Sequence, residues 1–158
     1  KFPKFIIGRV QGKTVGGGVG VASSCDYCFA TSNASIKLSE LAVGIGPFVV
    51  GPAVERKIGK AAFSELAIAA ADWRSSSWAK DKGLFAETSD SVEEMDSDID
   101  AFIQKIKSFN PEAMAEMKKI FWEGTEHWDT LLLERAQVSG TLVLSDFTRN
   151  AINSFKKK

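Results

Sequence analysis

The chain has 158 residues, 44% of them hydrophobic and 11 of them Phe, enough for one domain with a real core. Lys plus Arg equals Asp plus Glu at 20 each, so the net charge is zero, without the basic excess of a nucleic-acid footprint. No apolar run reaches the length of a membrane span, and Lys1-Phe2-Pro3-Lys4-Phe5 offers no secretory h-region, so a cytoplasmic setting, or an organelle after processing, is expected.

Residues 5–10, FIIGRV, read as a buried strand, and Gln11-Gly12-Lys13 as a turn. The triplet Gly16-Gly17-Gly18 stands where an apolar strand ends and a helix begins. Residues 17–24 are expected to form a short helix of small residues packed close to a sheet. Its glycines cost helix propensity, which points to close backbone approach. Residues 26–30 and 34–38 read as two further strands. Strand, helix and strand in alternation predict a parallel or mixed sheet with right-handed crossovers.

From Gly51 the character changes. Pro52 and Gly59 bracket one helix, and residues 60–71 form another with an apolar face. Ser75 to Ser77 offer an N-cap for a short helix over 78–82, closed by Gly83, and residues 84–87 read as a last strand. The acidic stretch 89–97 reads as a solvated linker that becomes the first turn of a helix. The rest is helical. Ile99, Phe102, Ile103 and Ile106 repeat at helical spacing, Asn110-Pro111 caps the next helix, residues 128–142 form another, and Ser145-Asp146 caps the last. The natural division is a sheet-containing part, 1–88, and a helical tail, 89–158, too short and apolar to stand alone.

Two nucleotide-binding patterns fail on spacing. Ser23 stands where the third glycine of a dinucleotide fingerprint belongs, and Ile7 stands where a P-loop needs its first glycine. Cys25 and Cys28 form one C-x-x-C, too few ligands for a zinc site, and read as buried free thiols facing opposite sides if the segment is a strand. His127 has no nucleophile pattern beside it and reads as structural or exposed; Trp73, Trp78, Trp122 and Trp128 read as core or interface.

Two features carry chemistry. Bare glycine backbone at a helix N-terminus, with unpaired N–H groups and the positive end of the dipole, suits a negatively charged oxygen. The bland alternative is tight packing with no ligand. Glu40 could be a surface carboxylate, but Leu38, Leu41, Val43, Ile45, Phe48, Val49 and Val50 surround it in sequence with apolar groups. A carboxylate in such a pocket has a raised pKa and can accept and return a proton. An anion-stabilising turn beside a proton carrier is what enolate chemistry requires.

Residues 5–12, FIIGRVQG, then Gly16-Gly17-Gly18, Cys25-Asp26, Glu40-x-x-x-Gly44 and Pro47 together resemble the enoyl-CoA hydratase/isomerase (crotonase) superfamily, and the resemblance continues to the C-terminus. It implies an α/β, crotonase-like β-β-α spiral core fragment followed by a helical trimerisation region. It implies that an N-terminal portion with the first strands and half of the oxyanion hole lies outside this chain. It implies an acyl-CoA thioester as substrate, so that coenzyme A arrives with the substrate and no separate cofactor is needed. Gly17 would give an N–H to the thioester oxygen and Glu40 would carry the proton. Phe155 and Lys158 match residues that touch coenzyme A from a neighbouring subunit, although lysines at a helix end also complement the dipole. Homotrimers or dimers of trimers are implied.

The departures matter. Hydratases of that family carry a second glutamate two residues after the glycine triplet, where this chain has Gly20, and Phe48 follows Pro47 where glycine is common. One carboxylate and less room for water favour double-bond isomerisation over hydration. Hydration, or a CoA-binding fragment without catalysis, is the alternative.

Overall fold

The computed structural model describes residues 2–155. In chain order the sheet-bearing part runs β1 (Ile7–Val10), β2 (Lys13–Val15), α1 (Gly17–Ser24), β3 (Tyr27–Thr31), β4 (Ser35–Lys37), a single 3₁₀ turn (Leu41–Val43), α2 (Gly51–Ile68), β5 (Arg74–Ser75), α3 (Ser76–Asp81) and β6 (Glu87–Ser89). The tail follows as α4 (Val92–Ile106), α5 (Pro111–Phe121), α6 (Trp128–Leu142) and α7 (Asp146–Phe155).

The strands divide into two sheets rather than one. β1, β3 and β6 form a parallel sheet, with Gly8 opposite Cys28 and Phe29 opposite Glu87. β2, β4 and β5 form a second, with Val15 opposite Lys37 and β5 antiparallel to β4. The chain leaves the first sheet at Gly12, whose φ of +81° suits glycine, and enters the second one residue later. β2 begins at Lys13 and so replaces the last residue of the expected turn.

Between the sheets and α2 lies the core: Val19 and Ala22 of α1, Ile36 and Leu38, Val54, Ile58 and Leu66 of α2, and Leu84 with Phe85. α1 is built of small residues because α2 presses on it. A Cβ at Gly20 would stand 2.7 Å from Val50 Cγ1, so a side chain there would force Val50 to shift. α2 covers both helices expected from sequence; Gly59, at φ 77° and ψ 161°, is the break between them.

The expected strand at 84–87 begins instead at Glu87. Leu84 and Phe85 are fully buried plugs that face the core from a loop, and Ala86 starts the ladder by donating to the Cys28 carbonyl at 2.8 Å. The stretch 89–97 becomes the start of α4 as expected, with Glu93 and Glu94 in the first turn, but it is not wholly solvated. Ser89 is buried in β6 and donates to Asp98 at 2.7 Å, while Met95 is fully buried. Ser91 caps α4 by accepting the Glu94 amide at 3.0 Å, and the Glu94 carboxylate takes the Asp90 amide at 2.8 Å. Ser-x-x-Glu before an apolar repeat is the pattern of such a start.

The tail rests on the sheet part at several points. Phe102 of α4 stacks on Tyr27 of β3 with ring centroids 4.4 Å apart. Lys118 of α5 reaches Asp26, and α7 lies on the turn at Leu41–Val43. Phe109, Ile120, Phe121, Leu133 and Leu144 stay exposed.

Candidate active site

Gly16 organises the site. Its φ of +52° with ψ of −114° is backbone that a side chain would strain. Its amide donates to the Lys37 carbonyl at 2.9 Å, which ties the end of β2 to β4. Its carbonyl accepts the Val19 and Gly20 amides at 2.9 and 3.2 Å and so starts α1. The next two amides, of Gly17 and Gly18, have no hydrogen-bond partner among the described residues, and both glycines are exposed. α1 therefore presents open N–H groups with the positive end of its dipole behind them.

β4 runs parallel to β2, so its exit lies beside the start of α1, and Glu40 follows three residues later. A Cβ added to Gly16 would stand 2.9 Å from Glu40 Oε1. The missing side chain of Gly16 is thus the space that the carboxyl group uses. Glu40 Oε2 is buried and has no partner among the described residues. Burial pushes the Glu40 carboxyl above its ordinary pKa, and a hydrogen bond from its own backbone amide only partly opposes this. The backbone carbonyl of Glu40 accepts Val43 and Ile45 at 3.2 and 2.9 Å, which fixes the turn.

Glu40 and the residue before Gly17 are therefore in contact. Gly20, one turn into α1, turns away to meet Val50 and leaves no room for a second acid. Phe48 folds its ring onto Gly46. Asp26, the other acid within the first 50 residues, lies past the far end of α1, an eight-residue helix about 12 Å long. Burial alone would raise its pKa, but hydrogen bonds from Lys118, from the Ile6 amide at 2.7 Å and from Trp122 at 3.1 Å outweigh that and hold it low. Its oxygens are occupied.

Other sequence-based candidates fall elsewhere. Cys25 and Cys28 are free and buried as expected, but they do not face opposite sides: both sulfurs flank Gly8, 3.0 and 2.8 Å from where its Cβ would be. Strand alternation does not apply, because Cys25 ends α1 and β3 begins at Tyr27. Trp73 is exposed between Lys13 and Lys37, and Trp122 meets Trp128 edge to face, 5.9 Å between centroids. His127 is exposed at the start of α6. Lys158 and the Phe155 side chain lie outside the described residues. Sequence reasoning missed Val50 as the group opposite Gly20; no local pattern marks it, because the contact is made across two helices. It also missed that Gly16, rather than Gly17, touches the carboxyl. The triplet itself was the available signal. A cavity of about 630 Å³, lined by Phe2, Ile6, Ser24, Lys118, Trp122 and Trp128, lies at the opposite end of α1 from Gly17.

The arrangement can take an anionic oxygen at the open amides and move a proton at the adjacent carboxyl. The enoyl-CoA hydratase/isomerase family pattern matches residues 1–156. The "Probable enoyl-CoA hydratase" of Bacillus subtilis (strain 168) is 27% identical over 159 residues, 99% of this chain and 61% of that protein. The bacillaene synthase dehydratase PksH of the same organism is 41% identical over 58 residues, 37% of this chain and 22% of that protein. A crystallised enoyl-CoA hydratase from Mycobacterium avium superposes with a TM-score of 0.86 at 22% identity, over 96% of this chain and 59% of its own. The chain thus spans about three fifths of the relatives it matches along its whole length. Its fold is that of the crotonase-type hydratases, and the chain belongs to the enoyl-CoA hydratase/isomerase family.

Proposed function

We propose that the protein acts on an acyl-CoA thioester through an enolate, with the Gly17 amide on the thioester oxygen and Glu40 as the proton carrier, and that the reaction is double-bond isomerisation. The observation that carries this reading is the Glu40 carboxyl lying on the Gly16 Cα, beside amides that have no partner among the described residues. In a 3-enoyl thioester, ionised Glu40 removes a proton from C2. The electron pair moves into the carbonyl, whose oxygen becomes anionic and accepts hydrogen bonds from the helix start. Glu40, now protonated, returns the proton at C4, and the double bond ends between C2 and C3. One carboxyl group suffices for both transfers, and its raised pKa makes it the stronger base. Gly20 and Val50 leave no second acid to hold a water for addition.

The second reading is hydration, or dehydration in reverse, favoured by the names of the relatives, two of them hydratases and one a dehydratase. Offering the protein a 3-enoyl-CoA and a 2-enoyl-CoA separates the two. Conversion of the first without loss of absorbance from the second supports isomerisation; water addition to the second as the faster reaction overturns it.

The remaining parts of the reading follow from the resemblance. Residues 1–88 would be the catalytic core and 89–158 the region that joins subunits, as a trimer or a dimer of trimers, with the exposed Ile120, Phe121 and Leu133 available for contact. Phe155 and Lys158 would touch the coenzyme A carried by the substrate. No helix among the described residues is long and apolar enough to cross a membrane.

A further inference from the structure

The turn that carries Glu40 is held within itself by backbone hydrogen bonds. Val43 and Ile45 donate to the Glu40 carbonyl, and Gly44 donates to Leu41 at 3.1 Å. Gly44, at φ +85°, supplies the left-handed corner that lets the Ile45 amide turn back. None of the residues Leu41–Val43 is buried. Such a turn, short and apolar, opens easily unless something packs on it.

What packs on it is α7. A Cβ at Gly44 would stand 2.5 Å from both Phe147 Cδ1 and Thr148 Oγ1, so the first turn of α7 lies flat on the Gly44 Cα. Thr148 is fully buried there, although α7 is the last helix. Ser145 fixes it from behind, accepting the Thr148 amide at 3.3 Å and sharing a hydrogen bond with its hydroxyl at 3.2 Å. Phe147 spends part of its ring on the corner and leaves 66% of its surface exposed. A large exposed aromatic side chain is thus kept at the one point where it closes the Glu40 turn.

We propose that Phe147 and Thr148 are positioning residues for Glu40: the first turn of α7 clamps the Gly44 corner, and the corner holds the carboxyl group against Gly16. The catalytic consequence rests on the reading of Glu40 as proton carrier; the clamp itself does not. Arg135 reaches the segment after the turn, donating to the Phe48 carbonyl at 3.4 Å. Glu40 is the single charged residue between Leu38 and Val54, and α1 carries none. The α7 charges Asp146 and Arg149 face each other at 4.0 Å, while Lys13 and Lys37 lie over Trp73.

The test compares the protein with its Phe147→Ala, Thr148→Ala and Arg149→Ala variants in two measurements. One is amide hydrogen exchange at Val43, Gly44 and Ile45. The other is the pH profile of 3-enoyl-CoA turnover. In the first two variants exchange at those amides is expected to rise about tenfold, since local opening sets the rate. Their kcat is expected to fall about tenfold with KM nearly unchanged, because misplacement of a reacting group acts on the chemical step. The rising limb of the profile moves to lower pH as water reaches Glu40. Arg149→Ala, on the same helix but outside the contact, changes neither measurement. Should Phe147→Ala fail to fold, Phe147→Leu, which keeps part of the contact, is read the same way. Unchanged exchange in both clamp variants overturns the proposal. Raised exchange with unchanged turnover leaves the clamp standing and removes Glu40 from the chemistry.

Discussion

Helix α1 has a carboxyl group near each end, and the two are held in opposite ways. Past its C-terminus, Asp26 accepts three donors: Lys118, the Ile6 amide and Trp122. Beside its N-terminus, the Glu40 carboxyl lies on a glycine, with one oxygen buried and unpartnered among the described residues. Burial works on both. At Asp26 the donors overcome it and the pKa is lowered; at Glu40 it prevails and the pKa is raised. A carboxylate whose oxygens are all taken joins elements together, here α5 to the start of β3. One left short of donors next to open amides is available to a substrate. The contrast, rather than burial alone, separates the structural acid from the candidate catalytic one.

The comparison can be broken from either side. The largest effect is expected from Glu40→Gln, which keeps the shape and removes the base: turnover should fall by about a thousandfold, the scale of general acid–base catalysis. A steady-state assay on folded protein checks it. Asp26→Asn should do the reverse. It strands a buried Lys118 and is expected to cost about 3 kcal/mol, as broken buried ion pairs do, read by urea unfolding, while kcat of the folded fraction stays near its starting value. Asp26 has the lowered pKa, so its contribution is present above its ordinary pKa and is lost as pH falls through the lowered value.

Gly20→Ala should rank next. The added methyl meets Val50, and overpacking of this kind costs about 1–3 kcal/mol. Pairing it with Val50→Ala should recover part of the loss, which a double-mutant cycle measures. The smallest effect is the stability of Glu40→Gln. Because the folded-state pKa of Glu40 is raised, folding is favoured by the protonated form, and that advantage is lost as pH rises through the raised value. The variant is therefore expected to melt higher than the parent at neutral pH, with the difference vanishing below the ordinary carboxylate pKa of 4.5.

Much of the candidate site's local structure was legible because it is set by neighbours in sequence. Helix α1 spans the very residues its small side chains mark, and Gly16, Gly59 and Gly83 sit at breaks that glycine punctuation announces. The Asn110 cap, which accepts the Glu112 and Ala113 amides, is of the same kind. What was not legible is set by distant partners. Leu84 and Phe85 look like strand residues, yet the core needs them as plugs and the ladder begins at Glu87. Met95 sits in an acidic stretch and is fully buried because α4 packs on β3 and β6. The contact of Phe147 and Thr148 with Gly44 joins residues about a hundred positions apart, which no local pattern can encode.

The most direct test of the account follows exchange of the C2 proton of an acyl-CoA thioester in deuterated water, by NMR, with the parent and with Glu40→Gln. Deuterium uptake at C2 is expected with the parent and none above background with the variant. Equal uptake by both would contradict it, since the proton would then be moved by a group other than the carboxyl at Gly16.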